Sequence, residues 1–195
     1  MRSELTLLVL GAGGHGQAVA EAALLSGDWQ RVLFVDDRWP QLTEVSGIAV
    51  VGNLQSVAAL SCEVDAGIAA VGNNALRQRW QEALTAAQIP LGRVVHPRAW
   101  ISPRAEVGGG CAVMAMAVVG TNARLGDGVI VNAGAIVDHD AVVADFAHLG
   151  VGVSLAGGVR VGVAAWLQAG CNAGYGVVVE QNVVISPGTT LTSKD

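Results

Sequence analysis

From about Val95 onward the chain repeats itself every six residues. Stepping by six from Ile101 passes through Val107, Val113, Val119, Leu125, Val131, Val137, Val143 and Leu149. The series continues through Leu155, Val161, Leu167, Ala173, Val179, Ile185 and Leu191, and all but Ala173 are Val, Ile or Leu. Two residues before each stands a small or β-branched side chain, from Ala99, Ala105 and Cys111 to Cys171, Val177, Val183 and Thr189. Neither the 3.6 period of a helix nor the 2.0 period of a strand generates a strict six. The pattern fits a triangular solenoid in which each hexapeptide supplies one flat side, three make a coil, and roughly five coils stack through backbone hydrogen bonds.

The first 90 or so residues read differently, as strands alternating with helices. Leu5–Leu10 is predicted as a buried strand, His15–Leu25 as an alanine-rich helix and Arg31–Val35 as a second strand. Val50–Val51 reads as the start of a turn into a helical Leu54–Leu60, and Ala66–Val71 as another strand. Asn74–Gln88 has helical spacing and is expected to stop at Ile89–Pro90. Such alternation implies a small parallel α/β sheet. The predicted organisation is a Rossmann-like domain over residues 1–92 and a left-handed parallel β-helix over 93–195.

Composition narrows the function. Hydrophobic residues make up 52% and charged residues 14%, so a substantial core is expected rather than disorder. The net charge of −5 argues against a nucleic-acid partner, which would need a basic face. Cys62, Cys111 and Cys171 are widely spaced and form no C-x-x-C pair, as in a reduced cytoplasmic protein with neither disulfides nor a zinc site. The apolar stretch Leu5–Leu10 is too short to span a bilayer, so no membrane insertion is expected.

Gly11, Gly13 and Gly16 satisfy G-x-G-x-x-G, and Asp36 follows at the end of the second strand. Alone this spells a dinucleotide fold. The hexapeptide repeat leaves no room for a second half, so a mononucleotide site is the better physical reading, with structural turn glycines as the alternative.

The repeat, preceded by Gly11-Ala-Gly-Gly-His-Gly16, Val35-Asp-Asp-Arg38, Val71-Gly-Asn-Asn-Ala-Leu-Arg77, Val95-His-Pro97 and Asp138-His-Asp140, resembles the hexapeptide-repeat acyltransferases. The small domain in front is similar to that of sugar acetyltransferases of the bacillosamine and sialic acid pathways. The motifs look most like N-acetyltransferases acting on a UDP-linked 4-amino-4,6-dideoxy sugar. The resemblance implies acetyl-CoA as co-substrate, a nucleotide sugar held by the small domain, and a homotrimer with active sites between neighbouring subunits. It implies that Gly13, Gly14, His15, Asp36, Asp37 and Arg38 contact the nucleotide, with Asn73 and Asn74 at the same pocket or capping a helix.

Acetyl transfer needs a base for the attacking amine, and histidine suits the task near neutral pH. His139 lies off both packing columns, should point outward, and is flanked by Asp138 and Asp140, which could orient an imidazole. The family pattern also places its catalytic histidine there, followed by an acid that matches Asp140. His148 matches a family histidine near the acetyl donor, with a backbone-bonding structural role as the alternative. Asn132 could face the acceptor or serve as a turn residue, and His96 reads as a junction residue. Gly152 and Gly170 are expected as backbone contacts to acetyl-CoA. Two departures bear on the coenzyme: Leu167–Gly176 carries tyrosine and glycines where relatives often have a proline turn, and the sequence ends at Lys194 and Asp195 without a long tail.

The main competing expectation is O-acetylation of a sialic acid or another glycan hydroxyl, which would use the same base; GDP- or TDP-linked amino sugars are closer variants. A nucleotide-sugar sensor, an NAD(P)-dependent oxidoreductase and a metal-dependent γ-class carbonic anhydrase fit less well. The last needs three ligand histidines, and beside His139 and His148 the repeat offers no well-spaced third. Cys111 and Cys171 fall on the small interior column, so direct transfer without an acyl-enzyme is expected.

Overall fold

The computed structural model describes residues 4–192; Lys194 and Asp195 lie outside them. The chain divides into two compact units, Met1–Val94 and Val95–Asp195. In the first, β1 (Thr6–Leu10), α1 (Gly14–Ser26), β2 (Arg31–Val35), β3 (Glu44–Val45), β4 (Ile48–Gly52), β5 (Ala66–Ala69) and α2 (Asn74–Ala86) follow in order. The sheet runs β3-β4-β2-β1-β5, parallel throughout except for the β3–β4 hairpin. Strand β1 is buried along its whole length, as a central strand covered on both faces requires.

Two sequence expectations needed correction here. Val50 and Val51 lie within a strand, because Ser46 and Gly47 both take positive φ (51° and 77°) and close a tight hairpin before Ile48. Leu54–Leu60 is helical as expected, winding as a 3₁₀ helix entered through a reciprocal Asn53–Ser56 capping box. Helix α2 also ends at Ala86, ahead of Pro90, with Gln88 in the left-handed region at φ 58°.

The second unit is a parallel β-helix of two-residue strands. Its first face stacks Trp100–Ile101, Val118–Val119, Ile136–Val137, Ser154–Leu155, Asn172–Ala173 and Thr190–Leu191. The second stacks Glu106–Val107, Arg124–Leu125, Val142–Val143, Arg160–Val161 and Val178–Val179. The third stacks Val94–Val95, Ala112–Val113, Ile130–Val131, His148–Leu149, Trp166–Leu167 and Val184–Ile185. Partners in the ladders are one coil apart, as in Val118 with Ile136.

Both sequence columns point inward. From Cys111 to Leu167 they fill a continuous core whose residues are no more than 4% exposed. Cys111 and Cys171 are fully buried, with thiols directed at the carbonyls of Gly126 and Ser186 (3.0 and 3.1 Å).

A third column fixes the corners: every sixth residue from Gly110 to Gly188 has positive φ. Glycine fills most of these places, while Met116, Asn122, Asp140, Phe146, Ala164 and Asn182 take the others. An L-residue there costs on the order of 1–2 kcal/mol, least for Asn and Asp. Asp140 therefore sits at a corner that tolerates it.

Candidate functional site

In the first unit the strand order reverses at β1, and it is beyond the carboxyl ends of the strands at such a point, here β1 and β5, that open α/β sheets bind ligands. The loop Gly11–Gly16 leaves β1 there. Gly11 has φ 103° and lies against the Trp80 ring, while Gly16 packs on the Gly11 carbonyl. A side chain at either would force the loop away from the sheet. Gly13 caps α1 and, with Gly14, leaves open space at the helix N-terminus, where an anion is favoured.

Asp36 has a structural task. Its carboxylate accepts from the Ala12 amide (2.9 Å) and from Arg38 Nε and Nη2 (2.7 and 2.9 Å), tying the glycine loop to the end of β2. The Arg38 hydrogen bonds, helped by the Ala12 and Arg38 amides, hold its pKa down at about 2 despite burial. Asp37 is exposed beside it. Asn73 caps α2, accepting from the Leu76 amide (2.9 Å), and Asn74 accepts from Arg77 (2.9 Å). The Arg77 side chain is wholly buried and donates to the Val71 carbonyl (3.0 Å), a support the sequence reading did not identify. Burial, reinforced by the Arg77 charge, pushes His15 down to about 4, so its imidazole is neutral at physiological pH.

On the solenoid, His139 occupies the edge between the first and second faces. The corner turn exposes its ring, and its Nδ1 lies 2.8 Å from Asp140 Oδ2. Asp140 also accepts from Asn122, one coil below (3.2 Å). The Asp140 hydrogen bond and then the Asp138 charge raise the His139 pKa above its ordinary value. With Nδ1–H donating to the carboxylate, Nε2 carries the free lone pair, the orientation a general base needs. Under the ring lies Gly157, buried, where an added Cβ would come within 2.6 Å of both Cε1 and Nε2. Sequence reading missed Gly157 because its role is to leave room.

The other solenoid residues lie elsewhere on the triangle. His148 is 7% exposed on the third face and stacks on Trp166, ring centroids 5.3 Å apart. Gly152 and Gly170 follow that face at the next edge, in a column with Gly134 and Gly188. Their amides are already used between coils, bonding to Ala133 O and Val151 O (3.0 and 2.8 Å). The space a Cβ would take is open at Gly152 and meets only the Gly188 backbone, at 3.9 Å, at Gly170. Asn132 is on this same edge, its Oδ1 accepting from the Ala133 amide (2.8 Å), and so is not beside His139 in one solenoid.

The PglD N-terminal domain matches residues 6–84. PerB from Caulobacter crescentus, solved in complex with CoA and GDP-perosamine, is 30% identical with a TM-score of 0.89, covering 98% of this chain and 93% of that one. The acetyltransferase domain of PglB from Neisseria gonorrhoeae FA1090, in complex with acetyl coenzyme A, is 36% identical with a TM-score of 0.78, covering 98% and 97%. The chain belongs to the hexapeptide-repeat sugar N-acetyltransferases. WeeI from Acinetobacter baumannii AYE, at 19% identity and a TM-score of 0.68 over 96% of this chain and 95% of that one, shares the fold. A hexapeptide-repeat sugar N-acetyltransferase is an acyltransferase, and its solenoid is a left-handed parallel β-helix. Among the described residues no helix is long and apolar enough to cross a membrane.

Proposed function

We propose that the protein transfers the acetyl group of acetyl-CoA to the 4-amine of a nucleotide-linked 4-amino-4,6-dideoxy sugar. The observation that carries the reading is the exposed His139–Asp140 pair at a solenoid edge, in a chain whose relatives are solved with CoA, acetyl-CoA or GDP-perosamine. As the amine adds to the thioester carbonyl, His139 Nε2 takes its proton and Asp140 supports the imidazolium that forms. The tetrahedral intermediate collapses, the C–S bond breaks, and the thiolate recovers the proton as coenzyme A leaves. Buried Cys111 and Cys171 take no part. The glycine loop holds the nucleotide, by the resemblance a UDP, while the GDP-perosamine complex of PerB makes a GDP-linked sugar the second acceptor to try.

The working form in this reading is a cytoplasmic homotrimer with active sites between neighbouring subunits. One solenoid carries His139 on one edge, while Gly152 and Gly170 stand across the first face on another, on the order of 15 Å away at strand rise. An edge from a neighbouring copy completes the site.

The test is thiol release from acetyl-CoA with UDP- and GDP-linked 4-amino-4,6-dideoxy sugars, for wild type and His139→Ala. Release by wild type and a loss of about 10² or more in the variant are expected. Folded protein that releases thiol with a glycan hydroxyl acceptor, and with no amino sugar, would overturn the amine assignment.

A further inference from the structure

The carboxylate that orients the proposed base is itself held from one coil below. Asp140 Oδ2 lies 2.8 Å from His139 Nδ1, and Asn122 Nδ2 donates to the other oxygen, Oδ1, at 3.2 Å. The acetyl-transfer reading uses the first contact and leaves the second without a task.

The backbone around the pair is pinned from both sides. The Asp140 amide donates to the Thr121 carbonyl of the coil below (2.9 Å), and the His139 carbonyl accepts from the Gly158 amide of the coil above (3.0 Å). Gly120 packs so closely under the turn that a Cβ there would come 2.8 Å from the Asp138 carbonyl carbon and the His139 nitrogen. The freedom left to the Asp140 carboxylate is rotation about its own side-chain bonds.

That rotation has other partners within reach. Arg104, Arg124 and Arg160 line a hollow of about 460 Å³ together with Asn122, Asp140 and Glu106. Guanidinium groups are strong bidentate partners for a carboxylate and compete with His139 for this one. Among the described residues none of the three arginines is in an ion pair with Asp140, and Arg124 pairs only loosely with Glu106 (3.7 Å). An amide fixed on Oδ1 leaves Oδ2 aimed at the imidazole. The same bond, after that of His139, holds the Asp140 carboxyl below its ordinary range, so it is ionised whenever the base is at work. The corner also suits its occupant: Asn122 has φ 59°, a left-handed conformation that asparagine tolerates, and Gly158 and Gly176 take the same column.

We propose that Asn122 is a positioning residue for the transfer step: its amide holds the Asp140 carboxylate on His139 Nδ1 and away from the neighbouring arginines, and so keeps Nε2 turned to the acceptor. This rests on the acetyl-transfer reading given above.

The test compares thiol release by wild type, Asn122→Gly, Asn122→Asp, Asp140→Gly and the Asn122→Gly/Asp140→Gly double variant. Both positions have positive φ, so glycine removes each side chain without backbone strain, and melting curves should show folded protein. Asn122→Gly should lower kcat about fivefold or more, with KM for acetyl-CoA within twofold. The midpoint of its kcat/KM profile should move to lower pH, because the Asp140 bond that raises His139 is loosened. The other charges facing the pair, Asp138 on its own turn and Arg104, Glu106, Arg124 and Arg160 around the hollow, are the same in Asn122→Gly, so the moved midpoint reports Asn122. Asn122→Asp, equal in size but without a donor, should share the loss of kcat. In the Asp140→Gly background, Asn122→Gly should change kcat less than twofold, since Asn122 acts through that carboxylate. An unmoved midpoint in Asn122→Gly, full activity in Asn122→Asp, or equal losses in both backgrounds would each overturn the proposal. NMR titration of the histidine ring protons, with His139→Gln identifying the resonance, reads the same coupling without turnover. Wild type that acetylates no amino sugar, with His139 titrating at lower pH in Asn122→Gly, would sink the acetyl-transfer reading and leave the positioning standing. Normal turnover with His139 titrating alike in both proteins would sink the positioning alone.

Discussion

Replacing Gly157 by alanine should cripple catalysis while leaving the fold intact. The added Cβ would sit 2.6 Å from His139 Cε1 and Nε2 and 3.2 Å from Nδ1. Carbon contacts are comfortable only near 3.5 Å or beyond, so the ring tip must retreat by roughly 1 Å. Because Nδ1 is held by Asp140 at 2.8 Å, the retreat swings Nε2, the atom that takes the proton, away from its line of approach. A displacement of that size at a reacting group costs on the order of 10²-fold in kcat. Gly157 is not among the glycines with positive φ, so alanine brings no backbone strain there. A less flexible unfolded chain should offset small packing losses by about 0.4–1 kcal/mol. Steady-state thiol release should show kcat down by about two orders of magnitude, with KM for each substrate within about threefold, and thermal melting should show a Tm equal to or above that of wild type. A kcat within threefold of wild type, in a variant that melts normally, would refute the claim that this glycine holds the imidazole in place.

Two other outcomes follow from the ionisable groups. The neutral His139 is the base, and Asp140 followed by Asp138 raises its pKa; kcat/KM should therefore climb with pH through a midpoint above the ordinary 6.5 for histidine. Asp140→Asn should lower that midpoint as well as the plateau, and an unmoved midpoint would show that the pair is not coupled. Asp36 keeps its carboxylate at a pKa of about 2 in the folded protein against an ordinary 3.8, so its contribution is complete above about pH 4 and is lost as pH falls toward 2. Asp36→Asn should cost about 1–3 kcal/mol at pH 7, and chemical denaturation should show the difference from wild type closing across that acid range; a difference independent of pH would refute it.

The sequence by itself determined the solenoid. A strict six-residue recurrence of Val, Ile and Leu has one economical packing, and both inward columns are buried as the spacing required. It also marked His139, because a residue off both inward columns must point outward, and acids flank this one. Local rules carried β1, β2 and the helix starts for the same reason: their signals reside in a few adjacent residues.

What tertiary structure decided was how side chains are shared across coils and strands. Asp36 fits a ribose-binding signature, yet its oxygens go to the Ala12 amide and Arg38, since the sheet brings the ends of β1 and β2 together. Asn132 and His139 are near in sequence but stand on different edges, because six residues advance the chain by one side of a triangle. Gly157 lies 18 residues beyond His139, and Arg160 is two coils along from Arg124. No local propensity reports such neighbours; stacking at one coil per 18 residues turns those separations into contact.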